Sequence, residues 1–310
     1  MPELPDLEDY LAALRPRMQE ATVTRVQVTG VSLLRTYEPP IDGLAGGRIE
    51  AVERIGKRLV WQLSVPDGEP EPWYLVVHLM IAGRLRWGDP GASPPGRIGL
   101  AAIEVSAPGS ADEPGGTLLL TEAGSKRRAS MHLVRGPDAL AEHDRGGVEP
   151  FDVEVEGFAE RLRLERRTLK RVLTDPRRFA GIGNAFSDEI LHAARLSPVR
   201  RTDHLSDDEV ARLHEVTQRV LRDWTALLRE QTGDGFPTKV TAFREGFAVH
   251  GRFGHPCPDC GTEVQRIRYA ANETNYCPRC QTDGKLLADR SLSRLLKDDW
   301  PKTIDALEGD

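Results

Sequence analysis

Met1-Pro2-Glu3-Leu4-Pro5-Asp6-Leu7-Glu8 opens the chain. A methionine ahead of proline is normally trimmed, and the mature chain would then begin with Pro2, a secondary amine. A terminal amine has an intrinsic pKa of about 8, so part of it is neutral and nucleophilic near physiological pH. A secondary amine that adds to an aldehyde forms a cationic iminium, an electron sink for eliminations. Glu3, its neighbour, offers a carboxylate for proton transfer. The same residues start a helix. Leu7, Tyr10, Leu11 and Leu14 recur at helical spacing, and Asp6, Glu8 and Asp9 stand at the positive end of the helix dipole. On its own, a Pro-Glu start favours helix entry over chemistry.

Composition bounds the rest. A chain of 310 residues with a net charge of −6 has room for two domains. No run of apolar residues is long enough to cross a bilayer and no signal peptide stands out, so a cytoplasmic protein is expected. The acidic total does not advertise nucleic-acid binding. Residues 161–200, however, hold ten Arg or Lys against four Asp or Glu, a local excess that suits phosphates.

The pattern changes along the chain. Short β-type runs, among them 23–28, 58–63, 73–78 and 117–120, are punctuated by Gly and Pro up to about residue 133 and read as a β-sandwich or barrel packed with the N-terminal helix. Helical patterns follow: 162–173 as one helix stopped by Asp175-Pro176, then a helix after Asn184 as its cap, then a long one from the Ser206/Glu209 capping box to Leu228. The expected organisation is a domain over 1–135, a linker over 136–155, a helical domain over 156–244, a cysteine module over 245–285 and a tail over 286–310. In the tail, Leu287, Leu292, Leu295 and Leu296 keep helical spacing, with Trp300 beyond.

Several motifs carry chemistry. Cys257, Cys260, Cys277 and Cys280 form two Cys-x-x-Cys knuckles sixteen residues apart, a pattern for one tetrahedral Zn2+ with no open coordination position and hence a structural metal. Gly181-Ile182-Gly183-Asn184 places a tight turn ahead of a helix start, which can hold a phosphate or simply turn the chain. Arg54-Ile55-Gly56-Lys57-Arg58 places Lys57 at a hairpin tip, where a cation is either idle or a phosphate contact. Arg266 and Arg268 lie on the segment between the cysteine knuckles.

Taken together, the Pro-Glu-Leu-Pro start, the Gly-Lys hairpin, the Gly-x-Gly-Asn turn and the four-cysteine finger, with "GVEPF" at 147–151, "GIGNAFSDEIL" at 181–191 and "VHGRFGHPCPDCG" at 249–261, resemble the formamidopyrimidine-DNA glycosylase and endonuclease VIII family. The resemblance implies an α+β fold: an N-terminal β-sandwich with an N-terminal helix, a helix–two-turn–helix domain and a C-terminal zinc finger. It implies a monomer acting on double-stranded DNA that contains a damaged base or abasic site, associated with the nucleoid. The implied chemistry is base excision with abasic-site lyase activity: Pro2 as nucleophile, Glu3 in proton transfer, and Lys57 and Asn184 on phosphates, with β- then δ-elimination. No cofactor besides the structural Zn2+ is implied.

The chain departs from that pattern in places. Where the family's finger usually carries an Arg on the lesion phosphate, this chain has Asn272, leaving Arg266 and Arg268 as candidate substitutes. Where the family fills the vacated base stack with a Met and an Arg-Phe pair, this chain offers Met80 or Ile81 in "HLMIAGR" and, in "TEAGSKRRASM", Lys126, Arg127 and Arg128 without an aromatic. The damaged base is left open, and a non-catalytic DNA-damage-binding protein on the same fold is the alternative.

Overall fold

The computed structural model describes residues 1–64, 70–124, 126–269, 272–288, 295 and 301–308. The chain divides into two compact units: Met1–Arg145 with Trp224–Thr241, and Gly146–Asp223 with Ala242–Asp310.

In the first unit, helix α1 (Leu4–Met18) starts from Glu3, whose carboxylate accepts the Asp6 N–H, while Asp6 Oδ2 accepts the Glu3 N–H at 2.8 Å. This reciprocal cap satisfies two donors that every helix start leaves open. Pro5 costs no hydrogen bond in the first turn. Leu7, Tyr10, Leu11 and Leu14 are buried, as their spacing predicts. Eight strands follow: β1 (Val23–Val28), β2 (Arg48–Ile55), β3 (Arg58–Ser64), β4 (Trp73–His78), β5 (Gly83–Gly88), β6 (Gly99–Ser106), β7 (Pro114–Glu122) and β8 (Ser130–Arg135). They form two antiparallel sheets, ordered β1-β6-β7-β5 and β2-β3-β4-β8. Alternation puts Leu59, Trp61, Leu63, Leu75 and Val77 of one sheet, and Leu85, Ile103, Leu118 and Leu120 of the other, into one core with α1. This is the expected sandwich with an N-terminal helix. The segment 136–155 opens with a short helix, α2 (Gly136–Ala141).

In the second unit the expected single helix over 162–173 is two: α3 (Val155–Arg163) and α4 (Leu169–Leu173). The chain between them is drawn off by residues 200–202. Thr202 N–H donates to Arg167 O, Thr202 Oγ1 to Glu165 O, and Leu169 N–H to Arg200 O. Those backbone groups find partners outside a helix, so the helical periodicity of the sequence is overridden. Helix α5 (Asn184–Ala193) is capped by Gly183, which corrects the reading of Asn184 as the cap; Asn184 is its first residue. Helix α6 (Asp207–Thr232) starts at the Ser206/Glu209 box, with Ser206 N–H on Glu209 Oε2 at 3.0 Å. The cysteine module carries a hairpin of β9 (Gln265–Tyr269) and β10 (Asn272–Tyr276) and a helical turn, α7 (Pro278–Thr282). Of the tail, Leu292, Leu296 and Trp300 lie outside the described residues. Its end returns to the finger: Leu286 N–H donates to Lys302 O and Ile304 N–H to Gly284 O, ahead of α8 (Ile304–Glu308).

A polar clamp holds the finger to α5. Asp188, fully buried, accepts Lys170 Nζ at 2.6 Å, His250 Nδ1 at 2.8 Å and Asn275 N–H at 3.2 Å. Glu189 accepts the N–H groups of Ala248, Val249 and His250 at 2.7, 3.0 and 2.8 Å. Removing the charge of a buried pair leaves its partner uncompensated, at a cost of about 3–5 kcal/mol. Asp188→Asn is therefore expected to lose several kcal/mol of unfolding free energy by denaturant titration. Arg163→Ala breaks an ion pair whose carboxylate, on Asp207, is 92% exposed and should cost under about 1 kcal/mol. Equal losses in the two variants would refute the clamp.

Candidate active site and metal centre

In the first unit the N-terminal segment enters the protein interior at once. Pro2 and Glu3 are buried, and Met1, whose amine ends this chain, is half-buried. Burial pushes that amine below its ordinary pKa. The carboxylates of Glu3 and Asp6 oppose this, and the cations of Arg84 and Lys57 add to it. One short segment thus gathers an amine, two carboxylates and two cations. Glu3 serves twice in this arrangement, as helix cap and as the carboxylate beside the amine.

Lys57 follows Gly56 in the two-residue turn between β2 and β3, where Ile55 pairs with Arg58. Gly56 has φ +57°, and no other atom crowds it. A II′-type hairpin turn requires this left-handed conformation at its first central residue, so the partly exposed Lys57 is held at the tip. Arg84, on β5, donates to Val240 O at 2.7 Å and Ile81 O at 3.1 Å. Sequence reasoning passed over both Arg84 and His78. His78 ends β4 opposite Arg58. Burial, helped by Arg58 and Lys57, lowers its pKa to about 4, so the ring is neutral at pH 7. Its Nε2 is buried with no hydrogen-bond partner among the described residues. The signal was its place at the head of "HLMIAGR", a segment read only for its hydrophobic residues.

Met80 and Ile81 lie in the β4–β5 turn, closed by Gly83 N–H on Leu79 O at 2.9 Å. The two-residue alternation of a strand, which would set these neighbours on opposite faces, does not govern there. Met80 takes a left-handed φ of +52° and is half-buried, whereas Ile81 is 59% exposed. Lys126, Arg127 and Arg128 are exposed on the β7–β8 loop. That loop is tethered at one end, where the buried Glu122 carboxylate accepts the N–H groups of Arg128 and Ala129 at 2.9 and 3.1 Å. Arg127 donates to Arg97 O.

In the second unit the two motif glycines differ. Gly181 is left-handed at φ +77°, while Gly183 is extended and caps α5. Asn184 is half-buried at the helix start. Much of the basic stripe at 161–200 is paired with carboxylates of the second unit, some inside the stripe and some beyond it. Arg163 pairs with Asp207, Arg167 with Glu165 and Asp175, Lys170 with Asp188, Arg178 with Glu165, and Arg200 with Glu209.

The four cysteine sulfurs lie within 4.8 Å of one another. Cys257 and Cys280 are 3.9 Å apart and Cys260 and Cys277 3.4 Å. Four thiolates around zinc at about 2.3 Å stand about 3.8 Å apart, so the donor set fits one structural Zn2+. On the hairpin, Arg266 lies 4.1 Å over the Phe253 ring and 3.6 Å from Glu273. Position 272 pairs with 269, while 266 and 268 pair with 275 and 273. On strand alternation, 266 and 268 therefore share a row that excludes 272. The side chain of Asn272 lies outside the described residues.

Comparison with known proteins agrees with this architecture in order and extent. The family profile described as "Formamidopyrimidine-DNA glycosylase N-terminal domain" matches residues 1–113, the "Formamidopyrimidine-DNA glycosylase H2TH domain" 147–234, and the "Zinc finger found in FPG and IleRS" 254–282. The formamidopyrimidine-DNA glycosylase of Chloroflexus aggregans is 32% identical over 91% of this chain and 98% of its own. Among solved structures, the MutM (Fpg) protein of Thermus thermophilus superposes with a TM-score of 0.72 at 31% identity, covering 90% of this chain and 98% of its own. Lactococcus lactis Fpg in complex with abasic-site DNA shares the fold, with a TM-score of 0.74 at 22% identity over 90% and 99% of the two chains. With its sandwich, its helical motif and its four-thiolate finger all matched in sequence order, the chain belongs to the formamidopyrimidine-DNA glycosylase family.

Proposed function

We propose that this protein is a cytoplasmic base-excision repair glycosylase with abasic-site lyase activity, using Pro2 as its nucleophile on damaged double-stranded DNA. The observation that carries this reading is the placing of Pro2 and Glu3, both buried at the start of α1, in surroundings that already favour the neutral form of the neighbouring Met1 amine through burial and two cations; removal of Met1 would put the Pro2 amine there. The relatives support it: the Chloroflexus aggregans protein is named a DNA glycosylase, and the Lactococcus lactis enzyme was captured on abasic-site DNA.

In this reading the Pro2 nitrogen attacks C1′ of the damaged nucleotide and the base departs. The sugar ring opens, and nitrogen and C1′ become an iminium. Glu3 passes protons to and from the sugar. Loss of the C2′ proton expels the 3′ phosphate, and a second elimination expels the 5′ phosphate. Lys57 and the neutral His78 bind backbone phosphates in one place, Asn184 in another. Ile81, exposed on a tight turn, is the candidate to fill the vacated stack.

Borohydride reduction of a reaction with abasic-site DNA should yield a covalent adduct through Pro2, and Pro2→Gly should lower its yield sharply. Tight binding without any adduct, with a free Pro2 verified by mass, would favour the damage-binding alternative that Asn272 and the missing aromatic suggest.

The pH profile gives a second check. The amine must be neutral to attack, so cleavage should rise with pH through the amine pKa and level off, with a midpoint below about 8. Lys57 disfavours the protonated form of the Met1 amine, and in this reading it acts in the same sense on the Pro2 amine freed by loss of Met1; Lys57→Met removes that cation. The amine pKa then rises and the midpoint moves to higher pH, whatever happens to the plateau. A lower plateau with an unmoved midpoint would leave Lys57 a phosphate contact alone.

A further inference from the structure

His192 has no part in the chemistry above, yet it sits against the metal centre. It lies on α5 one turn beyond Asp188 and is 3% exposed. Its Nε2 is 3.3 Å from Cys257 Sγ, and Cys257 is itself 2% exposed. A ring nitrogen of His192, a carboxylate oxygen of Asp259 and the Cys280 sulfur also come within 4.8 Å of one another.

Four thiolates fill the tetrahedron around Zn2+, so His192 has no coordination position to occupy. A zinc-bound thiolate carries no proton, so a contact between ring nitrogen and sulfur is attractive only when Nε2 bears the hydrogen. Zn2+ with four thiolates carries a net charge of −2, and at Cys257 that charge is buried. Donors are what such a centre needs, and the Cys280 N–H on Cys277 Sγ at 3.4 Å is another. Outer-sphere donors of this kind alter metal affinity by about 10–100-fold.

We propose that His192 is an outer-sphere partner of the zinc centre, its Nε2–H donating to the Cys257 thiolate, and that this bond sets how firmly the finger holds its metal. The proposal stands whether or not the protein excises bases. Because His192 shares α5 with Asp188 and Glu189, the bond also joins the metal centre directly to the helix that starts at Asn184.

The test uses full-length protein loaded with zinc, and separately with cobalt: wild type, His192→Phe and His192→Gln. Zinc affinity is read by competition with a chromogenic chelator, and the thiolate-to-cobalt charge-transfer band by absorbance. His192→Phe keeps the volume and removes the donor. It should weaken zinc binding about 10-fold and shift the charge-transfer band to lower energy. His192→Gln, which keeps an N–H, should recover part of both. Wild-type affinity and an unmoved band in His192→Phe would overturn the proposal. Equal effects of Phe and Gln would too, because filling the space would then matter and donating would not. A wild-type cobalt spectrum typical of three sulfurs and one nitrogen would also overturn it, by making His192 an inner-sphere ligand. Should His192→Phe fail to fold, His192→Leu, which also lacks a donor, takes its place in the comparison with His192→Gln and wild type.

Discussion

The Asp188 carboxylate is the constraint on which the second unit depends. A fully buried carboxylate is costly unless its lone pairs are taken up. Here they are, by the Lys170 ammonium of α4, the His250 ring and the Asn275 N–H of the finger hairpin. Lys170 also donates to Asn184 O at 2.5 Å. One charge therefore holds together α4, the first turn of α5 and the finger. Its neighbour Glu189 binds three successive backbone N–H groups, which commits residues 248–250 to one conformation just ahead of the first knuckle. The small finger has little core of its own, built around Val249, Cys257, Val264 and Cys277. Metal and clamp supply what hydrophobic burial there cannot.

The first unit solves a different problem with similar means. Under the proposed reading its chain terminus must be buried yet stay reactive. The Glu3–Asp6 cap satisfies the helix start and places two carboxylates near the amine. Further along α1, Glu8 pairs with Arg54 at 2.8 Å and Arg229 at 3.0 Å, and Asp9 accepts Thr232 Oγ1 at 2.9 Å. These tie the helix to β2 and to the C-terminal turns of α6. Arg54 is mostly buried, so its pair with Glu8 is screened less than the exposed pairs of the basic stripe.

Periodicity made the sandwich legible in the sequence, because inward-facing residues such as Leu59, Trp61 and Leu63 alternate without interruption. The finger was legible for another reason: thiolate spacing is a coordination requirement, and few other uses of cysteine satisfy it. What could not be read depended on partners distant in sequence. The break between α3 and α4 is imposed by residues 200–202, some thirty positions away. The neutrality of His78 comes from burial, from Arg58 on the neighbouring strand and from Lys57 in the hairpin turn. The basic stripe looked like a phosphate footprint because part of its counter-charge, on Asp203, Asp207 and Glu209, lies outside the window that defined it.

The departures from the family pattern fall on particular elements. Arg266 and Arg268 stand in the hairpin row opposite to that of position 272, so either one, as a substitute for an Arg at 272, would have to reach a phosphate from the other row of the hairpin. Arg266 is further engaged by the Phe253 ring and Glu273. In the sandwich, the β4–β5 turn exposes Ile81 where the family carries Met, an exchange of a flexible thioether for a stiff β-branched side chain. The β7–β8 loop, its backbone anchored through Glu122, offers cations where an Arg-Phe pair is usual. The Pro-Glu-Leu-Pro start, by contrast, keeps the pattern that carries the resemblance. Under the proposed reading, chemistry and recognition are thus separable in this chain: the amine and its charges suit any sugar that exposes C1′, while the altered turn, loop and hairpin decide which lesion presents it.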